Sequence, residues 1–442
     1  MSQHVDVAIV GAGAAGVMTA LKAAANPDLT VAVFEKDLRE GANAAISSGS
    51  LAAGGTRFQR AAGIEDSPEQ HAADILEHSH DEAHADLVLA VCPVAPVMVE
   101  WLADELAYPI EIGLNLPRAG MAAIRLHSDV GRQGGARLMR HLRDALVEHD
   151  NVALVDGARV VDLIGADQVT GVVIEQNGVR EEVHADTVVL AGDGFANNRD
   201  LFARFCSDLG EPVYAGVSTS TEDAVPWLEE RGAAFANMGA CLRHGLVVAD
   251  HGTRVSPSLQ FYGAVWINTD GERFADEEAI GYSPLAGVLF DQPGKRALMV
   301  WDDEAMAITQ ESELMRESIA AGAFGRAGDV AELAERSRIP ADRLEAALVA
   351  APGRRQLRAP YHWAWLTHGV LTTQGGCEID TLGRVLRADG TPIPGLRAAG
   401  GTAVGISGPH SDGYMSGNGL LAAFGMGWII GDDLAAAGVR PD

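Results

Sequence analysis

The sequence predicts an α/β protein in which one domain, built on a parallel sheet, is interrupted by a second domain of mixed helices and strands. A strand, helix, strand unit fills the first thirty-five residues, short mixed elements follow from about residue 201, and glycines become frequent again after residue 361. At 442 residues the chain is also too long for one small core. We therefore expect the first domain to comprise residues 1–200 and 362–442 and the second to comprise 201–361, with a cleft between them.

The N-terminal unit has the order of elements that binds a dinucleotide. An apolar strand over 5–10 and another over 29–34 flank an alanine-rich helix over 14–25. The glycines of segment 11–16 stand between strand and helix, so backbone N–H groups and the helix dipole can receive a pyrophosphate. Glu35 ends the second strand, where its carboxylate can accept hydrogen bonds from ribose hydroxyls. A tight glycine turn without a ligand is the alternative. The candidate ligands here are Gly11, Gly13, Ala14, Ala15, Gly16, Glu35 and Lys36.

Two later segments favour FAD over NAD. Residues 41–50 supply small side chains and hydroxyl groups beside the nucleotide site, which suits the close approach of a long cofactor. An apolar strand ends in glycines within residues 187–195, although an ordinary strand and turn would have the same pattern. The candidate ligands in these segments are Ser47, Ser48, Gly49, Ala191 and Gly192.

The middle of the chain alternates helical and β-rich stretches. Residues 60–105 have a helical pattern with one polar face, whereas residues 152–190 break into short strands separated by turn signals. In the second domain, helices are predicted over 329–336 and from residue 340. The second domain is therefore expected to be α+β.

Charge and composition exclude some partners. The chain has 33 Lys and Arg against 61 Asp and Glu, a formal net charge of -28, which repels nucleic acid and anionic lipid. The apolar tract 419–431 is shorter than a bilayer-spanning helix and is interrupted by glycines, so we expect a buried helix and no membrane span. The four cysteines have no CxxC spacing, and the N-terminus enters a strand without an export signal. These features predict a cytoplasmic protein.

With these motifs placed, the sequence resembles the fumarate reductase and succinate dehydrogenase superfamily of FAD-binding dehydrogenases, closest to its 3-ketosteroid dehydrogenase-like branch. The segments similar to that family's motifs are 55–59, 192–195 with Asn198, 268–277, 373–376 and 393–400. The resemblance implies a Rossmann-like FAD-binding domain interrupted by an α+β capping domain that holds the substrate against the flavin. It adds Gly400, Asn418, Gly419, Leu420 and Leu421 as cofactor ligands.

Departures from the family pattern indicate how the flavin is attached and which reaction to expect. Members with covalent flavin carry a histidine in the Ser/Gly segment, and residues 43–50 contain none, so FAD should be non-covalent. Many relatives have an acid where this chain has Gly401. The fumarate-reducing branch places a proton-donating arginine four residues after Glu277, where Gly281 stands, and another within 408–419, which contains none. Fumarate should therefore not be reduced.

The resemblance to the ketosteroid branch instead rests on tyrosines. Tyr282 is the expected base for the α-proton, with the β-hydride passing to flavin N5, and Tyr414 is the expected donor to the carbonyl oxygen together with the Gly417 backbone N–H. His410 is a rival acid. The predicted reaction is the formation of a C=C bond next to the carbonyl of a cyclic ketone, with oxygen, a quinone or another carrier as electron acceptor. Reduction of an activated C=C bond, or a role as the flavin subunit of a larger complex, are the alternatives.

Other polar residues have two interpretations each. A tyrosine near a loop is most often a packing residue. His80 and His84 have metal-ligand spacing, although a solvated charged helix end explains them better. Three further residues, Arg118, Arg125 and His127, lie in a segment that family members fold towards the substrate, although ordinary surface charge explains them equally well. Arg273 with Glu277 forms a structural pair or a catalytic one.

Overall fold

The computed structural model describes residues 3–114, 118, 120–131, 134–210, 212–280, 282–349 and 353–437, without the side chains of Gln3, Tyr282 and Glu313. Its helices are Ala14–Ala23, Arg57–Ala61, Pro68–His78, Ala85–Asp104, Gly134–Leu146, Arg199–Phe205, Val225–Glu230, Tyr282–Phe290, Asp303–Thr309, Glu313–Ala320, Val330–Ser337, Ala341–Ala347 and Asn418–Ala437. Short 3-10 turns are Ser207–Leu209, Pro257–Tyr262, Pro293–Lys295, Gly400–Thr402 and Ser411–Gly413.

The larger sheet has eight strands within the described residues and is parallel at its centre. The strand Gln3–Val10 lies between Val31–Glu35 and Val179–Leu190 and is parallel to both. Strand Val31–Glu35 is buried along its whole length, and residues 188–190 at the end of Val179–Leu190 are buried as well, so these parts of the strands are apolar apart from Glu35. The carboxyl ends of these strands therefore meet at one edge, which is where α/β sheets bind ligands. The remaining strands are Val152–Asp156, Arg159–Ile164, Gly171–Gln176, Arg384–Leu386 and Pro392–Ala398.

Two helices from opposite ends of the chain pack against each other beside this sheet. Helix Asn418–Ala437 approaches helix Ala14–Ala23 at two of its glycines: a Cβ added at Gly427 would lie 2.6 Å from the Ala15 carbonyl oxygen, and one at Gly431 would lie 2.5 Å from that of Thr19. The glycine spacing that punctuates the C-terminal apolar tract is thus a packing requirement. It fixes the start of both helices at the same edge of the sheet.

The second sheet has six strands among the described residues: Val213–Tyr214, Cys241–Val248, Val265–Ile267, Arg296–Asp302, Gly325–Ala327 and Tyr361–Thr373. Trp266 and Trp301 are fully buried beside it. The long strand Tyr361–Thr373 pairs with four of the others. It lies almost wholly beyond residue 361, where the second domain was predicted to end. Smaller sheets pair Phe235–Ala236 with Gly376–Cys377, and Leu51–Ala52 and Ile110–Ile112 with Leu126–Asp129.

Two helices meet the length and hydropathy of a membrane span. They are Ala85–Asp104 and Asn418–Ala437, and in each about half of the apolar window (50% and 56%) is buried inside the protein. The C-terminal helix is longer than the predicted tract because it continues through Asp432 and Asp433 to Ala437. Core helices of large domains pass the same test of length and composition.

Candidate active site

The glycine loop is held in place by its own backbone. Gly11 adopts φ +100°, and its N–H donates to the Phe34 carbonyl at 2.8 Å. A Cβ at Gly16 would lie 1.9 Å from the Gly11 carbonyl oxygen, so only glycine lets the helix start this close to the turn. Gly16 is therefore a structural requirement of the loop.

Two charged side chains hold the loop at Ala12. One oxygen of the Glu35 carboxylate accepts from the Ala12 N–H at 2.8 Å, and the other accepts from the Asp37 N–H at 3.0 Å. From the other side, the Arg143 guanidinium donates to the Ala12 carbonyl at 2.9 Å. Burial lowers the pKa of Arg143, while Glu35 and Asp156 act in the opposite direction. Glu35 thus orients the loop and lines the cavity in which ribose hydroxyls were expected.

A large cavity opens at the carboxyl edge of the sheet, with an empty volume of about 1470 Å³ including its solvent-open part. Its glycines leave room for a ligand: a Cβ at Gly13 would meet only Ala42 at 3.5 Å, and one at Gly192 only Thr402 at 3.9 Å. These open backbone positions and the helix start fit a pyrophosphate-bearing dinucleotide. Predicted ligands among its lining residues are Gly11, Gly13, Ala14, Ala15, Glu35, Lys36, Ser47, Ala191, Gly192, Gly400, Gly419 and Leu420.

Other predicted cofactor ligands stand outside this lining. Ser48 lines a second cavity instead. Gly49 adopts φ +63° against the backbone of Gly134. Asn418 is fully buried and donates to the Ser407 hydroxyl at 3.1 Å, and Leu421 is in the core. For Asn418 and Leu421 the reason is helix geometry, since only one face of the helix that starts at Asn418 meets the cavity.

A second cavity adjoins the first, and five residues line both: Ser47, Leu242, Leu371, Tyr414 and Leu420. Its walls come from distant parts of the chain, including Ser128, Arg254, Tyr262 and Thr309. The two cavities therefore share one wall. The second sheet contributes Leu242 and Leu371 to this junction.

Tyr414 stands at the junction, as a polarising donor would have to. Its side chain is largely buried, and its hydroxyl accepts from the Gly419 N–H at 3.3 Å. Gly417, at φ +93°, lines the second cavity.

The other two predicted catalytic residues are placed differently. Tyr282 is the first residue of its helix, and its side chain lies outside the described part of the chain. The next residue, Ser283, donates to the Ser411 carbonyl at 2.8 Å, which brings this helix start beside the turn that precedes Tyr414. His410 lines neither cavity; its side chain is 65% exposed and lies 3.6 Å from Glu82.

The second cavity also contains two side chains that the motifs did not select, Arg254 and His244. Arg118, from the segment that family members fold towards the substrate, lines it too. His244 Nδ1 accepts from the Leu246 N–H at 3.2 Å, and burial, with the nearby Arg254 charge, lowers the pKa of His244 to about 3. His244 is therefore neutral at physiological pH, with its proton on Nε2.

Two buried acids lie beside the cofactor cavity. Asp193, at φ +72°, accepts from the Asn43 side chain at 2.6 Å and from the Gly194 N–H at 2.8 Å. Burial raises the pKa of Asp193, and burial and the neighbouring acids raise the pKa of Glu222 to about 8. The Thr402 hydroxyl lies near Glu222 but donates to the Asp193 carbonyl at 3.2 Å. A Cβ at Gly401 would lie 2.9 Å from an Asp193 carboxyl oxygen, so Asp193 occupies that space.

Several predicted polar residues have structural contacts instead. Arg125 is fully buried between Asp66 and Asp74, and His127 hydrogen-bonds the Thr56 hydroxyl at 2.9 Å. Glu277 is fully buried and accepts from Arg273 at 2.9 Å, as a structural pair would. Among the described residues, no group of three His, Cys, Asp or Glu has the arrangement of a metal site.

Comparison with known proteins identifies relatives over nearly the whole chain. A family model described as an FAD binding domain matches residues 6–420. NADH:fumarate oxidoreductase of Klebsiella pneumoniae is 29% identical over 450 residues, which cover 97% of this chain and 47% of that protein. The chain thus spans about half the length of that relative.

Solved structures have the same fold. An open conformation of a flavocytochrome c3 fumarate reductase superposes with a TM-score of 0.83 at 26% identity, covering 99% of this chain and 79% of that one. A 3-ketosteroid delta1-dehydrogenase from Sterolibacterium denitrificans has a TM-score of 0.80 at 19% identity, covering 99% and 100% respectively. The similarity to the steroid enzyme concerns the fold alone.

Proposed function

The chain belongs to the FAD-binding family of fumarate reductase and succinate dehydrogenase flavoproteins, and from that premise we propose that it forms a C=C bond next to the carbonyl of a cyclic ketone. It is an FAD-dependent oxidoreductase acting on CH–CH groups. The observation that carries the ketone proposal is the position of Tyr414, which lines the cofactor cavity and the adjoining cavity at once.

The cofactor cavity would hold FAD non-covalently. The glycine loop and the start of helix Ala14–Ala23 would bind its pyrophosphate, and Glu35 would accept from ribose hydroxyls. FAD, when bound, supplies the two-electron acceptor or donor for this class of reaction. Because segment 43–50 contains no histidine, flavin should leave the protein on acid precipitation. Flavin that stays with the precipitated chain would contradict non-covalent binding.

The second cavity would bind the substrate, with the lobe around the second sheet as its cap. The Tyr414 hydroxyl would donate to the substrate carbonyl oxygen, and the Gly417 N–H would complete the donor pair. Polarising the carbonyl acidifies the α-proton, which the base then removes. Leu242 and Leu371 would exclude water at the junction.

Tyr282 is the proposed base. Support comes from the Ser283 hydrogen bond to the Ser411 carbonyl, which places the start of helix Tyr282–Phe290 beside the turn before Tyr414. A tyrosine has a reference pKa of about 10, so it needs a neighbouring donor to act as a base at neutral pH. Tyr282→Phe should abolish turnover and leave the flavin spectrum intact.

A second candidate function is the reduction of an activated C=C bond. The Klebsiella relative is named for fumarate, and the arginines in the second cavity favour a charged substrate. In that direction Tyr414 would still polarise an electron-withdrawing group.

Anaerobic mixing separates the two candidates. We expect a cyclic ketone to bleach the oxidised flavin, and the dithionite-reduced protein to remain reduced when mixed with fumarate. If no ketone bleaches the flavin, and an enone or fumarate rapidly reoxidises the reduced protein, the proposed direction of the reaction is wrong. Turnover by the isolated chain with an artificial electron acceptor would also show that it needs no partner subunit.

A further inference from the structure

A buried carboxyl group lines the cofactor cavity without a partner. Glu222 lies just before helix Val225–Glu230, is only 3% exposed, and belongs to the lining of the cavity at the carboxyl edge of the sheet. Neither of its carboxyl oxygens has a hydrogen-bond partner within the part of the chain that the structure describes. Because an unsatisfied buried polar group is costly, an orphan of this kind in a ligand cavity indicates a bond that the ligand completes.

The nearby hydroxyl of Thr402 does not supply that bond. It donates its proton to the Asp193 carbonyl at 3.2 Å and accepts from the Gly192 N–H at 3.1 Å. These two bonds hold Thr402 against the strand end at Gly192, where the backbone leaves room for a ligand. Glu222 is thus next to the part of the cavity wall that faces the ligand.

The backbone holds Glu222 at a position that favours glycine. Its φ is +41°, in the left-handed region, where a side chain strains the backbone. The Asn198 side chain donates to the carbonyl of the preceding residue, Thr221, at 3.0 Å, which fixes the segment. A side chain that is kept in such a conformation is typical of a ligand site.

The surroundings of Glu222 favour its protonated form. Burial is the main cause of its raised pKa of about 8, and the charges of Asp193 and Asp223 add to it, against that of Lys36. Lys36 is itself paired with Asp223, whose carboxylate lies 3.5 Å from its Nζ. The Cys377 thiol also faces Glu222 and stays neutral, because burial raises its pKa. At neutral pH the Glu222 carboxyl group is therefore mainly a hydrogen-bond donor.

A dinucleotide supplies the acceptor that this donor needs. FAD carries oxygen atoms on its phosphates, its ribose and its ribityl chain, and the phosphates bring negative charge into the same cavity. An ionised Glu222 would repel that charge, whereas a protonated one can donate a hydrogen bond to an oxygen, and such a bond is strongest when the acceptor is charged. The protonated form is therefore the one that fits the cofactor.

We propose that Glu222 is a cofactor ligand that binds FAD in its protonated form, donating its carboxyl proton to an oxygen of the dinucleotide. The proposal needs only that FAD binds in the cofactor cavity, and it is independent of the substrate and of the direction of the reaction. When Glu222 ionises at alkaline pH, the donor is lost and a negative charge appears in the cavity, so FAD should bind less tightly there.

Titration of the apoprotein with FAD at two pH values, followed by flavin fluorescence, tests the protonation. The wild-type Kd should rise on the order of 10-fold between about pH 6 and about pH 9.5. Glu222→Gln keeps a neutral donor throughout, so its Kd should be close to that of the wild type at the lower pH and should not show this rise. A rise of equal size in Glu222→Gln would overturn the proposal, because another group would then be titrating.

Glu222→Met tests the hydrogen bond itself at the lower pH. Methionine has a similar length and no donor, so the Kd for FAD should rise on the order of 10-fold. The control is Glu230→Gln, at the exposed end of helix Val225–Glu230, which should keep the affinity and the pH profile of the wild type. Melting temperatures of the apoproteins at both pH values show that each variant is folded. Wild-type affinity in Glu222→Met would reject Glu222 as a ligand.

Proton uptake on binding gives a readout that does not depend on comparing affinities. At about pH 9, FAD binding to the wild type should take up nearly one proton, measured from the dependence of the calorimetric heat on the ionisation enthalpy of the buffer. Glu222→Gln should take up none. FAD binding without proton uptake in the wild type would overturn the proposal, whereas failure of the protein to bind FAD at all would contradict the cofactor assignment instead.

Discussion

The two adjoining cavities are built in different ways. The part of the cofactor cavity that would receive the pyrophosphate is built from backbone segments: the glycine loop, the strand end at Ala191 and Gly192, and the start of a helix at Gly419. The substrate cavity is formed by side chains such as Tyr414 and Arg254, which come from separate parts of the chain. A backbone site tolerates changes only where a Cβ fits, whereas a side-chain site loses one interaction for each group removed. The two cavities should therefore respond differently to single substitutions.

The largest expected effect is at Gly16. A Cβ there would lie 1.9 Å from the Gly11 carbonyl oxygen, so Gly16→Ala must displace the loop and should yield protein without flavin. Flavin content after purification and the melting temperature measure this. Gly13→Ala is the matched control, since its Cβ would meet only Ala42 at 3.5 Å. That variant should fold as stably as the wild type even if it binds FAD less tightly. Normal flavin content in Gly16→Ala would show that the loop is not the binding element.

A smaller effect is expected at Glu35, which acts on the same backbone through a side chain. Glu35→Ala removes the acceptor of the Ala12 and Asp37 N–H groups, and a charge-assisted bond contributes about 1.5–3 kcal/mol. The Kd for FAD should rise on the order of 10- to 100-fold in titrations of the apoprotein. Asp37→Ala is the control, because Asp37 lies outside the cavity lining and accepts from the Arg39 N–H at 2.9 Å. Equal affinity in both variants would exclude this role for Glu35.

The last comparison concerns pH and Glu222. Its pKa is raised from 4.5 to about 8 by burial and by Asp193 and Asp223, against the opposing charge of Lys36. Between these values the folded protein holds one proton more than the unfolded chain. Its stability should therefore fall as pH rises across this window, by about 1.4 kcal/mol per pH unit from this group.

Glu222→Gln removes this titration. In urea unfolding, the variant should gain stability over the wild type between pH 5 and pH 8, while Glu230→Gln, at an exposed position of the following helix, should follow the wild type. Parallel pH profiles for Glu222→Gln and the wild type would mean that Glu222 is ionised in the folded protein.

The same contrast explains what the sequence could predict. The loop at Gly11 to Gly16 and the acid at Glu35 are determined by neighbours in the chain, so their pattern identifies the nucleotide site. Arg254 and His244 reach the substrate cavity through strand pairing and a hairpin, which no local pattern records. The one signal of this site in the sequence was a charged residue inside a β-rich stretch.

The predicted residues that line neither cavity have the same explanation. Asn418 and Leu421 are next to lining residues in sequence, yet helical geometry turns them towards Ser407 and the core. Arg125 and His127 are close in sequence to residues that line the substrate cavity. Their side chains are nevertheless paired elsewhere, Arg125 with Asp66 and Asp74 and His127 with Thr56. A sequence does not show which polar residues are already paired.

The most direct test of the central claim is the rate at which a ketone reduces the flavin in Tyr414→Phe. Stopped-flow absorbance under anaerobic conditions compares this variant with the wild type at saturating concentrations of the ketone that reduces the wild type fastest. If Tyr414 polarises the carbonyl, its loss should cost about 2.7–4 kcal/mol of transition-state stabilisation, a reduction on the order of 10²- to 10³-fold in rate, with flavin content unchanged. A near-normal rate of flavin reduction would contradict the account, because Tyr414 would then be only a packing residue between the two cavities.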